Sequence, residues 1–246
     1  MPFINADVGE SYHHWTIGQD QALIPLVDAV NIATGFHAGD PLTLETTLKL
    51  AKQQGCKIAA HPGYADLIGF GRRSLPYEAN KLNAELRYQL GAFKIMAEHL
   101  GLKVDYIKPH GALYHDLLTN QNIFNCLVDV VQSLFPTRPI MVAALPSPHP
   151  LDPLAKQRNQ PLLKEGFLDR HYQPNGQLIP RQQANALITD TKQVIARYKL
   201  YQTEGIIQTQ QQTALTLKID SWCLHGDQPH ALDFAKAIKT ECNQHD

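Results

Sequence analysis

Short apolar runs that close in polar, glycine-bearing clusters recur along the chain, and most are followed by a segment with helical spacing. Residues 2–6 form the first run and give way to Asp7-Val8-Gly9-Glu10-Ser11, a set of carboxylates and a glycine suited to a loop. A second, β-branched run at 28–33 closes in Thr34-Gly35-Phe36-His37-Ala38-Gly39-Asp40-Pro41. There Asp40 can cap a helix whose first residue is Pro41 and whose stop is Gly55. The third strand, 57–60, ends in His61-Pro62-Gly63-Tyr64. A loop carrying Gly69-Phe70-Gly71-Arg72-Arg73 then leads to a helix whose buried face reads Leu82, Leu86, Leu90, Phe93, Ala97 and Leu100, ending at Gly101.

The same grammar continues through the second half. A strand at 105–108 delivers Pro109-His110-Gly111-Ala112-Leu113-Tyr114, and the next helix is built on Ile123, Leu127, Val131 and Leu134. Strands at 140–145 and 161–163 follow, the latter ending in Glu165-Gly166-Phe167-Leu168-Asp169-Arg170. After a helix around 190–198 and a glutamine-rich connection at 208–212, a seventh strand at 214–223 ends in His225-Gly226-Asp227, and a last helix covers about 229–242. Seven strand-then-helix units without a linker-like tract predict one domain, residues 1–246, with a parallel sheet, because parallel neighbours need helical crossovers. A single-domain parallel β/α barrel of about seven strands is the expected fold. An open doubly wound sheet is the alternative, but Gly69-Phe70-Gly71 lies far past its strand and is only part of a dinucleotide fingerprint. No Walker A sequence occurs.

Composition narrows the function classes. Hydrophobic residues make up 43% and charged residues 18%, which predicts a folded chain. A formal net charge of -1 and the absence of a Lys/Arg run argue against nucleic acid or an anionic membrane as partner. The sequence has no apolar run of spanning length and no signal-peptide pattern, so the expected location is cytoplasmic. Cys56, Cys126, Cys223 and Cys242 form no C-x-x-C pair and read as reduced thiols.

The twelve histidines matter through their placement. In a β/α barrel the C-terminal strand ends converge on one rim. Asp7, Glu10, His37, His61, Lys108, His110, Glu165, Arg170, Asp220, His225 and Asp227 all fall at or just after a strand. Four histidines at separate strand ends, each within two residues of glycine or proline, point to a shared site rather than to four local hydrogen bonds. Lys108 ends an apolar strand, where burial without an anionic partner is costly. Arg72 and Arg73 read either as solvated loop charges or as forked donors for phosphate or carboxylate. Asp40 reads as a cap, and Tyr64 and Tyr114 as rim packing. Aspartate with two or three histidines is a legitimate ligand set for zinc. Without H-E-x-x-H, and with His110/His115 and His225/His230 five apart, no protein-held metal is expected.

These motifs, from Asp7-Val8-Gly9-Glu10-Ser11 through His61-Pro62-Gly63-Tyr64 and Lys108-Pro109-His110-Gly111 to His225-Gly226-Asp227, resemble the LamB/YcsF family, in the family's order and over nearly the whole chain. The resemblance implies a barrel of the glycoside hydrolase/deacetylase type. It also implies the A subunit of a prokaryotic 5-oxoprolinase, which with subunits B and C opens the 5-oxo-L-proline lactam to glutamate at the expense of ATP. Thr34 departs from the cysteine expected in many relatives and leaves no thiol there, and Trp222 and Leu224 depart from smaller residues. On this reading Asp7 or Glu10 positions or deprotonates water and His61 and His110 relay protons. Lys108, with Arg72 or Arg73, stabilises phosphate charge and holds the substrate carboxylate. His37, Glu165, Arg170, His225 and Asp227 contribute substrate or phosphate contacts. Mg²⁺ arriving with ATP would lie near Asp7 and Asp227. A metal-dependent deacetylase or amidohydrolase acting alone, and a non-catalytic scaffold, are the rival readings.

Overall fold

The computed structural model describes residues 1–181, 183–226, 228 and 230–243. Its strands are β1 (Phe3–Val8), β2 (Ala29–Ala33), β3 (Lys57–His61), β4 (Tyr106–Ile107), β5 (Ile140–Ala143), β6 (Leu162–Phe167), β7 (Ile206–Gln208), β8 (Ala214–Thr216) and β9 (Ser221–His225). Seven of them close a parallel barrel in the order β1-β2-β3-β4-β5-β6-β9, with β9 pairing back to β1. The helices are α1 (Asp20–Leu23), α2 (Pro41–Gln54), α3 (Ala79–His99), α4 (Gly111–Thr119), α5 (Gln121–Leu134), α6 (Asp152–Gln157), α7 (Thr191–Glu204) and α8 (Ala231–Asn243). No helix among the described residues is long and apolar enough to cross a membrane.

Strand alternation divides the barrel into an outer and an inner face. Ile4, Ala6, Val8, Val30, Ile32, Ile58, Ala60, Ile107, Ile140 and Val142 belong to the main core that packs beneath the helices. Ala29, Ala59, Tyr106 and Met141, with Phe3 and Leu163, form a separate cluster inside the barrel. Register places Asn5 beside Ala29 and Asp7 beside Asn31, so the inner face turns from apolar to polar toward the C-terminal strand ends. The helices follow their sequence signals. Asp40 Oδ1 accepts from Leu42 N and Thr43 N at 2.9 and 3.0 Å, and Gly55 ends α2 at φ 69°. On α3, Leu82, Leu86, Leu90, Phe93 and Ala97 are buried as the spacing requires.

Three expectations need correction. The first and sixth strands continue beyond residues 6 and 163 to Val8 and Phe167, so Asp7 and Glu165 lie within strands. Polar residues there read as a loop only because their partner, Lys108, is distant in sequence. The expected strand at 214–223 is two elements. Its start, β8, forms an antiparallel hairpin with β7 across the glutamine-rich turn, and only β9 enters the barrel. The motif after the fourth strand, to which the sequence assigned no element, enters the helix α4 at Gly111. Trp222 and Leu224 face the outer core, so their departure from smaller residues concerns packing and not the mouth.

Gly166 marks a close approach, because a Cβ there would lie 2.6 Å from both Ile219 Cδ1 and Trp222 Cζ3. Gly166→Ala should therefore overpack the interface of β6 and β9 and destabilise the chain by about 1–3 kcal/mol in urea unfolding.

Candidate active site

The floor of the barrel mouth is built around one buried ammonium. Lys108, 3% exposed, follows β4 and donates from Nζ to Asp7 Oδ1 at 2.7 Å and to Asn5 Oδ1 at 3.3 Å. Glu165 Oε1 lies 2.9 Å from the same nitrogen without hydrogen-bond alignment, and Cys223 Sγ is 3.2 Å away. Further bonds fix these carboxylates. Asn31 Nδ2 donates to Asp7 Oδ1 at 2.8 Å, Tyr106 OH donates to Asn31 Oδ1 at 2.7 Å, and Tyr114 OH donates to Glu165 Oε2 at 2.8 Å. Burial alone would raise the Asp7 carboxyl, but the charges of Lys108 and His61 outweigh it and hold the group well below the usual range. For Lys108, burial acts to lower the ammonium, and its neighbours, Asp7 foremost, hold it well above the ordinary lysine value. Burial pushes the Cys223 thiol up, which keeps it protonated.

Beside this ion cluster stands a group of three imidazoles and a carboxylate. His61 Nδ1 lies 2.6 Å from the Lys108 carbonyl oxygen, and His110 Nε2 lies 2.8 Å from the Phe70 carbonyl oxygen. A carbonyl only accepts, so each of those nitrogens carries a hydrogen. The remaining nitrogens, His61 Nε2 and His110 Nδ1, face each other at 3.0 Å. With both far nitrogens carrying the hydrogens, neither of these two nitrogens has a donor in the other. Asp7 Oδ2 is 3.5 Å from His61 Nε2, and Glu10 Oε1 is 3.7 Å from His110 Nδ1. His37 stacks on His110 with ring centroids 3.8 Å apart and planes 5° from parallel. Burial pushes both His37 and His110 well below the usual histidine range, as do the neighbouring imidazoles. The stack exists because glycines admit it. A Cβ on Gly63 would lie 2.7 Å from His37 Nδ1, and one on Gly71 would lie 2.7 Å from His37 Cβ. Phe70 takes φ +54°, an unusual conformation for a side chain of its size, while its carbonyl meets His110.

Above this floor opens a cavity of about 480 Å³, within the usual size of small-molecule sites. Asp7, Glu10, His61, Lys108, His110 and Glu165 reach it from the floor. Arg72, Arg170, Arg181 and His225 line its walls. The far wall is the strap that follows β6, tied by the bridges Arg170↔Leu187 and Tyr172↔Leu178. Arg170 spends donors on the strap, Nη2 to Ile179 O at 2.6 Å and Nε to Ala186 O at 3.3 Å. Burial and the nearby Arg181 push its guanidinium down to about 10. His225 Nδ1 is 2.9 Å from Asp169 Oδ2, which also accepts from Gln228 Nε2 at 2.8 Å. Arg72 lies over the Phe70 ring at 4.8 Å.

The sequence-predicted residues therefore separate. Arg73 is drawn away from the cavity: it pairs with Asp66, and its side chain is 62% exposed. His37, fully buried, sits behind His110 and does not line the cavity, so it has no direct route to substrate. Thr34 bonds to Gln89 Oε1 at 2.8 Å, and a thiol at this position would not line the cavity either. Asp227 lies outside the described residues. Asn5, Asn31, Tyr106, Asp169 and Arg181 were not among the predicted site residues, and Tyr114 is a carboxylate donor instead of rim packing. Asn5 and Asp7 did carry a signal, since two polar residues at i and i+2 share one strand face.

Fold and site together define a β/α-barrel protein with an acid, base and arginine-lined cavity at the C-terminal strand ends. The chain belongs to the LamB/YcsF family, which it matches over residues 3–246. It is 40% identical to the 5-oxoprolinase A subunit of Vibrio vulnificus over 96% of this chain and 94% of that one. To the 5-oxoprolinase A subunit of Carboxydothermus hydrogenoformans it is 39% identical over 97% and 92%. Its structure superposes on the lactam utilization protein from Thermus thermophilus with TM-score 0.91 at 31% identity, covering 99% of this chain and 96% of that one.

Lys108→Met should leave Asp7 and Glu165 as buried carboxylates without a counter-ion and cost about 3–5 kcal/mol at pH 7, read by urea unfolding. The cost should shrink as pH falls, because those carboxyls then take up protons. In the unmodified chain Asp7 lies below its unfolded value and Lys108 above its own. Their contribution should be complete between about pH 4 and pH 10. It should decline as pH falls through the folded carboxyl value or rises through the folded lysine value.

Proposed function

We propose that this chain is the barrel subunit of an ATP-dependent 5-oxoprolinase that works with subunits B and C and takes 5-oxo-L-proline to glutamate. The observation that carries the proposal is one cavity holding both halves of the required chemistry: acid and base groups on its floor and guanidinium groups on its walls. The names of the full-length relatives supply the reaction class. An unstrained five-membered lactam resists water at neutral pH. Transfer of the γ-phosphoryl group of ATP to the lactam oxygen makes the ring carbon a better electrophile. Water then adds to that carbon and the ring C–N bond breaks, with the nitrogen taking a proton. This leaves the acyl phosphate of glutamate, which a second water hydrolyses to release phosphate, so that overall 5-oxoproline, ATP and two waters give glutamate, ADP and phosphate.

In this scheme Arg72 and Arg181 receive the substrate carboxylate and the phosphoryl oxygens through forked donors. Asp7, whose low proton affinity makes it a weak base, orients the attacking water. The His61/His110 pair, with facing ring nitrogens 3.0 Å apart, takes up and returns protons. Lys108 holds Asp7 and Glu165 in place and offers positive charge to the developing oxyanion. His225, held by Asp169, supports the opposite wall. Magnesium enters with the nucleotide. The four free thiols fit a reducing, cytoplasmic location. A pure scaffold is disfavoured, because burying this many ionisable groups gains it nothing.

The test is glutamate release from 5-oxoproline by the purified chain, with and without ATP·Mg²⁺ and with and without subunits B and C. Activity is expected only in the full mixture, and Asp7→Asn should lower kcat by about a hundredfold or more. Arg72→Ala should raise KM for 5-oxoproline by about tenfold with a smaller change in kcat. Full activity of the Asp7→Asn assembly would remove this floor from the mechanism.

A further inference from the structure

We infer that Glu10, His37, His61 and His110 form a site for one divalent transition-metal ion of the zinc class, at the floor of the cavity. One ligand atom from each of the four lies within 4.8 Å of the others. The individual separations include 3.0 Å for His61 Nε2 to His110 Nδ1, 3.7 Å for His110 Nδ1 to Glu10 Oε1 and 4.0 Å for His37 Nε2 to Glu10 Oε1. Zinc held tetrahedrally at about 2.0–2.1 Å separates its donors by about 3.4 Å, so the observed set brackets the required spacing.

Three independent features point to a cation. The tautomers of His61 and His110 are fixed by backbone carbonyls on their far nitrogens, the arrangement that usually orients metal-binding histidines. That leaves two lone pairs aimed at each other, which a shared proton satisfies only in part and an ion satisfies fully. His37 supplies the second feature: it is wholly buried, and neither ring nitrogen has a hydrogen-bond partner. The third is charge, for three carboxylates, Asp7, Glu10 and Glu165, gather on the same floor as the Lys108 ammonium. Three imidazoles and one carboxylate form a donor set suited to zinc and its neighbours rather than to magnesium or calcium.

A metal lies in the plane of each imidazole that holds it, so binding must open the parallel stack of His37 and His110. His37, with no hydrogen bond to break, is the ring able to tilt. The second candidate group, Asp7, Cys223 and His225, is excluded because the Lys108 ammonium already lies 2.7 Å from Asp7 and 3.2 Å from Cys223. The inference does not depend on the lactam reaction. With an ion bound, His61 and His110 would hold it in place of the proton relay given to them in the lactam scheme, and the ion would supply Lewis-acid activation of water.

The chelator-treated full chain is titrated with Zn²⁺, desalted and assayed for retained metal. The same protein is examined at the zinc edge by X-ray absorption. We expect one equivalent of zinc with nitrogen and oxygen donors at about 2.0–2.1 Å. His37→Ala and Glu10→Gln should each weaken binding by at least about a hundredfold. His13→Ala/His14→Ala, which removes the exposed stacked pair, should leave binding unchanged. Failure of the unmodified chain to retain zinc would overturn the site. So would retention undiminished in folded His37→Ala and Glu10→Gln, or lost only in the His13/His14 variant. The spectrum of the unmodified chain decides the matter even if a variant fails to fold. Because no turnover is measured, failure here leaves the oxoprolinase assay to stand or fall separately.

Discussion

An ammonium buried inside a barrel must be surrounded by anionic and polar groups, and the rest of the site follows from how this chain meets that demand. Lys108 draws Asp7 from β1 and Glu165 from β6 to the same point. A pair of charges in such a place is weak evidence of extra stability, because each ion carries a desolvation cost that the attraction only offsets. Its consequence is specificity of arrangement. Asn5, Asn31 and Tyr106 extend the polar layer downward until it meets the apolar plug of Ala59 and Met141. The barrel interior is therefore graded, apolar at its base and charged at its mouth, with each polar inward position filled by a side chain that has a named partner.

The histidine group depends on that layer through backbone geometry. The carbonyl of Lys108 fixes the tautomer of His61, so the residue that organises the carboxylates also orients the nearest imidazole. The glycine-bearing loops complete the arrangement from above. Gly63 and Gly71 leave room for the His37 ring and Phe70 turns its carbonyl toward His110. These glycines are explained by the approach of a ring to the backbone, not by loop flexibility. Rigid presentation of this kind suits a site that must hold protons, or an ion, without solvent reorganisation.

The walls follow different rules from the floor. Arg170 and Asp169 are largely committed to holding the strap and His225, whereas Arg72 reaches the cavity from a loop that Asp66 and Arg73 brace. Adjacent arginines in sequence thus have opposite fates, one at the cavity and one at the surface.

The sequence by itself determined the parallel barrel, because seven apolar runs alternating with helical spacing admit few other solutions, and it determined the α2 cap and the buried face of α3, because those signals are local. It also placed most of the cavity's charged residues at strand ends, since a polar residue closing an apolar run is legible without a structure. Only the tertiary structure decided which of them meet. Asp7 and Glu165 extend their strands because Lys108 neutralises them from about a hundred and from fifty-seven positions away. Tyr114 became a donor because Glu165 lies across the barrel, and His37 was withdrawn from the cavity by stacking behind His110. The start of the seventh run was split off because β8 found β7 as partner. Each of these outcomes depends on pairing between segments remote in sequence, and that pairing is energetic information that no local window contains.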